Sequence, residues 1–109
     1  MFANQPGGAT FENQLKQLSE PTRNFMVNLR AFVKSLGSDV IEDVRPHRVV
    51  YAKTMNLRTF LDMRPASDAL ILTIRYGRSS SAAETLTIRT EQDAENAKKQ
   101  IASAYCKIQ

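Results

Sequence analysis

The chain has 109 residues, of which 42% are hydrophobic and 24% charged, with a formal net charge of +4; that suits one globular domain with a core of its own and is too short for two. Four Gly and four Pro set it apart from disordered or fibrous chains, and no apolar run nears the roughly 18 residues of a membrane span. One cysteine, Cys106, and one histidine, His47, exclude an internal disulfide framework, weigh against a protein-only zinc site and fit a reducing compartment; with no basic-then-apolar leader visible, the cytoplasm is the expected location.

Residues 1–9 mix Asn4, Pro6, Gly7 and Gly8 and read as a flexible tail; residues 10–109 are expected to form the domain. Thr10 is a capping residue for a short helix to about Leu18, with Phe11, Leu15 and Leu18 on one side. Ser19-Glu20-Pro21 is a second helix start. Beyond it Phe25, Met26, Leu29, Phe32, Val33 and Leu36 make one helical stripe, and Gly37 is expected to stop that helix in a left-handed conformation.

The period then changes from helical to alternating. Val40–Val44 and His47–Lys53 read as strands around Pro46. Leu57–Met63 is expected to turn Leu57, Leu61 and Met63 to the helices and Arg58, Phe60, Asp62 and Arg64 away from them. Leu70, Leu72, Ile74 and Tyr76 alternate with Ile71, Thr73 and Arg75, and Thr85–Arg89 closes the run with Leu86 and Ile88 inward. Thr90 and Asp93 open a last helix as a shortened capping box, and Ala94, Ala97, Ile101, Ala104, Tyr105 and Ile108 form its buried stripe. Short connections and one apolar face per strand predict an α+β two-layer sandwich. Its antiparallel meander of about four to five strands would have an N-terminal helical segment and a C-terminal helix on one face.

The order of three motifs resembles an uncharacterised family of small domains of unknown function. They are Val49-Val50-Tyr51-Ala52-Lys53, the stretch from Asn56 to Pro65, and the closing helix from Thr90 to Tyr105. Members occur alone or at the C-termini of predicted nuclease-like or transport-related proteins. The resemblance implies the fold just derived and brings no activity and no catalytic residues with it.

Chemistry is sparse. His47 lies among Arg45, Pro46 and Arg48, where cations disfavour its charged form. Cys106 follows Tyr105 near a helix C-terminus, which opposes a thiolate. Ser79-Ser80-Ser81 lacks the glycines of a nucleophile elbow. No phosphate-cradling glycine motif occurs, and Glu42-Asp43 and Asp62 with Asp68 have no spacing that specifies a metal or an acid–base pair. Catalytic, cofactor and metal residues are therefore all read as none, and an enzyme is the less favoured reading.

Charge is the informative feature. Residues 45–78 carry seven basic side chains, six of them Arg, against two acidic ones. Arg58, Phe60, Arg64, Arg75 and Arg89 are the expected macromolecule-binding set on a helix-free sheet face. The expected function is a non-catalytic module that docks onto a protein partner, itself included, or onto single-stranded nucleic acid stacked on Phe60. The alternative is a small-molecule-binding or enzymatic domain with a pocket near Tyr51 and Tyr76, between helix and sheet.

Overall fold

Thr10 does cap the first helix: its hydroxyl accepts from the Asn13 N–H at 3.2 Å, and helix α1 (Phe11–Lys16) follows. The computed structural model describes residues 10–53, 58–77 and 83–107. The tail at 1–9, Leu57, the serines at 79–81 and Ile108 lie outside them. Helix α2 (Thr22–Lys34) begins two residues later than Ser19-Glu20-Pro21 predicts. Pro21 itself occupies the N-cap and no side chain caps the helix. Arg23 instead satisfies the end of α1, donating to the carbonyls of Leu15 at 3.2 Å and Leu18 at 2.6 Å.

Gly37 differs from expectation in its reason. Its backbone is not in the left-handed region, so no positive φ demands glycine there. Space does: a Cβ would meet the Tyr105 hydroxyl and would lie 2.7 Å from Asp39 Oδ1. Tyr105 donates to that Asp39 carboxylate and so ties the last helix to the turn before the sheet.

Five strands follow: β1 (Val40–Arg45), β2 (Arg48–Lys53), β3 (Thr59–Pro65), β4 (Leu70–Arg75) and β5 (Ala83–Ile88). They pair in chain order and every pairing is antiparallel. This is the predicted meander, with β1 and β5 as its edges. Helix α3 (Glu91–Lys107) closes the chain. Leu61, Met63, Leu70, Leu72, Ile74 and Ile88 from the sheet share one core with Met26, Leu29 and Val33 of α2 and Ala97, Ile101 and Ala104 of α3. Short alanine side chains let α3 lie close to the sheet. Phe32 and Leu86, both expected in the core, are only half-buried at its edge.

The capping box of α3 closes as drawn from the sequence. Thr90 Oγ1 accepts from the Asp93 N–H at 3.1 Å, and the Asp93 carboxylate accepts from the N–H groups of Arg89 at 3.0 Å and Thr90 at 3.1 Å. The Arg89 and Thr90 amides, with the Thr90 hydroxyl and the nearby Arg89 charge, hold the Asp93 carboxyl below its ordinary range. Thr90→Ala is expected to destabilise the protein by about 0.5–2 kcal/mol, seen as a lower denaturant midpoint at unchanged slope. An unshifted midpoint would mean that this box does not hold the helix start.

Candidate functional site

Register decides which side chains share a face. Tyr51 pairs with Leu61, but Ala52 pairs with Thr59, so β3 carries one extra residue, Phe60. That is a β-bulge, and a bulge breaks strict alternation. Phe60 and Leu61 are consecutive and both are completely buried on the helix side. The Phe60 ring meets Tyr105 of α3 edge-to-face, centroids 5.5 Å apart. The expectation that Phe60 faces away from the helices is therefore corrected, because the bulge turns it into the core.

Arg58 is displaced by the same bulge. Its carbonyl accepts from the Lys53 N–H at 3.2 Å. Lys53 lies on the helix side, with Nζ 4.2 Å from the centre of the Tyr105 ring, and the pairing assigns Arg58 to that side. Arg64 and Arg75 do lie on the outer face, as expected, and Arg89 stands exposed just past the end of β5. The predicted set thus divides: two of its members share the face, one stands at its border, and Phe60 and Arg58 leave it.

The outer face is otherwise built from Ile41, Asp43 and Arg45 of β1, Arg48, Val50 and Ala52 of β2, Asp62 of β3, Ile71 and Thr73 of β4, and Thr85 and Thr87 of β5. No described helix lies on it. Val50 is only 6% exposed and Asp62 only 8%. Arg48 reaches Asp62 at 3.1 Å and Arg45 reaches Asp43 at 3.0 Å. A depression of about 310 Å³ borders this region, with Ile41, Glu42, Asp43, Arg45, Val50 and Ala52 among its lining.

Arg45 and Arg48 were absent from the sequence-derived set, yet their signal was present. They flank Pro46-His47, a two-residue connection between two strands, and such a connection places its flanking residues opposite each other. The observed register pairs Arg45 with Arg48.

The helix side holds a second polar constellation that the sequence reading did not connect. Glu42 projects from β1 toward α2, its side chain 12% exposed. Its carboxylate accepts both arms of the Arg30 guanidinium at 2.8 and 2.9 Å and the Tyr51 hydroxyl at 2.7 Å, with Lys34 Nζ at 3.4 Å. Burial opposes ionisation of Glu42 most strongly. The hydrogen bonds from Arg30 and Tyr51 and the charges of Arg30 and Lys34 together outweigh it, and the carboxyl sits below its ordinary value. Burial first, and the adjacent carboxylate second, push the Tyr51 phenol far above its ordinary range. Tyr76 lies within hydrogen-bonding reach of Gln100 and Glu84. Both tyrosines are thus engaged within the fold, and Tyr51 is fully buried. Neither ring lines the depressions found among the described residues.

Among the described residues no group of three or more His, Cys, Asp or Glu side chains could hold a metal ion, and no helix is long and apolar enough to cross a membrane. Cys106 is exposed and free. No family model, curated protein or solved structure matches the chain.

Proposed function

We propose that this chain is a non-catalytic binding module that docks onto a protein partner through the outer face of its sheet. One observation carries the reading. The two-layer architecture puts α1, α2 and α3 on one side, and the opposite face combines the half-buried Ile41 and Ile71 with Arg45, Arg48, Arg64 and Arg75. Apolar side chains interspersed with arginine are the composition of protein interfaces, where Arg is enriched and Lys depleted. All four cations named on this face are Arg.

The inward turn of Phe60 removes it as an anchor for a protein partner as well as for a base, and it weighs most against single-stranded nucleic acid. Base stacking needs aromatic rings on the binding face, and among the described residues this face carries none. The cytoplasm is part of the same proposal, since an exposed free thiol such as Cys106 persists in a reducing compartment. So is the resemblance to small domains appended to larger proteins, which fits a module whose work is attachment.

The test is site-specific photocrosslinking in cells. A photoreactive amino acid at Thr87, exposed on the outer face, is expected to yield discrete protein adducts that survive nuclease treatment. The same group at Val27, exposed on α2, is expected to yield none. Adducts from Val27 alone, or adducts from Thr87 that vanish with nuclease, would overturn the reading.

A further inference from the structure

Three arginines stand side by side across the first three strands. Arg45 of β1 pairs with Arg48 of β2. The antiparallel register that matches Val49 with Met63 and Val50 with Asp62 brings Arg48 beside Arg64 of β3. The row then continues through Ile71 of β4 to Thr87 of β5. Directly opposed like charges destabilise a sheet. Here two such oppositions are consecutive, and the local acids only partly offset them. Asp43 is engaged by Arg45 and Asp62 by Arg48. Arg64 is exposed and has no carboxylate within 4.0 Å among the described residues.

Resting on the docking face proposed above, we infer that the partner presents an acidic, extended peptide segment whose carboxylates are held by the Arg45–Arg48–Arg64 row. The guanidinium fork matches a carboxylate in two parallel hydrogen bonds. Three adjacent strands set the row about 10 Å long, which is the reach of four residues of extended chain. An anion along the row relieves the mutual repulsion of the arginines, so part of the binding free energy is supplied by strain already present in the free protein. Beside the row, Ile71 and the depression that Ile41 and Ala52 help to line receive apolar side chains that alternate with the acids.

Charge complementarity also separates this ligand from a nucleic acid strand. The next row across the sheet begins Asp43–Val50–Asp62. Two carboxylates one step from the arginines repel a continuous phosphate track, whereas a peptide crosses them with an apolar residue. Ile71 and Thr87 complete the arginine row and Thr73 and Thr85 the acidic one, so neither row carries a cation beyond β3.

The experiment is fluorescence anisotropy with the whole chain and three labelled probes: a peptide alternating Glu and Val, the same peptide with Gln for Glu, and a single-stranded oligonucleotide of equal charge. The Glu peptide is expected to bind, and to weaken as salt is raised, because exposed charges are screened. The double variant Arg45→Ala/Arg64→Ala is expected to lose about tenfold or more in affinity for it. Arg89→Ala, off the row, should bind as the parent does, and circular dichroism confirms that each variant is folded. Equal binding of the Gln peptide, tighter binding of the oligonucleotide, no binding of the Glu peptide, or an unaffected double variant would each overturn the acidic-segment inference. Crosslinking from Thr87 tells the two failures apart. Adducts that form equally with Arg45→Ala/Arg64→Ala leave the docking face standing and remove the acidic segment; the absence of adducts from the parent removes both.

Discussion

Phe60→Ala is expected to destabilise the protein by about 3–5 kcal/mol, the range for truncating a fully buried aromatic ring. Phe60 is completely buried and packs edge-to-face on Tyr105. Its loss opens a cavity between the bulge of β3 and the C-terminal turns of α3, and deprives Tyr105 of the partner that steadies it over Gly37 and Asp39. Equilibrium denaturation measures the loss. The measurement also separates two roles for this ring. As a stacking platform on an open face, Phe60 would cost little stability on truncation and much affinity. As a core residue it costs stability, and the affinity of the folded fraction for a partner stays at the parent value. A denaturation midpoint indistinguishable from the parent would place the ring outside the core after all.

Glu42→Gln is expected to cost about 1–3 kcal/mol, the range for disrupting a hydrogen-bonded group and leaving its partners short. Arg30, Lys34 and Tyr51 converge on this one carboxylate. An amide accepts at one end only and carries no charge to balance the guanidinium. Arg30 is partly open to water and recovers some solvation, so the loss stays below that of breaking a fully buried ion pair. The Tyr51 hydroxyl is fully buried and has no such recourse.

The pH dependence follows from the sign of the shift. The folded carboxyl of Glu42 titrates below its ordinary value of 4.5. Its contribution is therefore complete above that pH and is lost as pH falls through the lower folded value, where the unfolded chain binds the proton more readily. The parent is expected to lose stability below pH 4.5 more steeply than Glu42→Gln, with the two curves converging in acid. Parallel curves would show that Glu42 is not the group responsible.

The alternation of Leu70, Leu72 and Ile74, the stripe from Phe25 to Val33 and the Thr90–Asp93 box were all legible in the sequence, and each folds as it reads. These signals are local: a period, a cap or a short connection constrains the few residues that carry it, whatever packs later. The α+β order and the antiparallel meander follow from them, because short connections permit little else. The arginine excess of residues 45–78 was equally plain.

What a period cannot encode is one residue out of step. A single extra residue in β3 moved Phe60 and Arg58 to the helix side and with them the aromatic centre of the expected site. Alternation assumes an unbroken ladder, and a bulge is settled by how β2 and β3 meet, not by the residues of β3 alone. The arginine row has the same origin. Arg45, Arg48 and Arg64 are separated in sequence by a turn and by a whole strand, and only pairing makes them neighbours. Glu42 likewise acquires its partners from α2 and β2, twelve and nine residues away. The elements of this protein were determined along the chain. Its arginine-bearing outer face and its buried polar hub were decided across it, because charge and burial depend on distances that only tertiary packing sets.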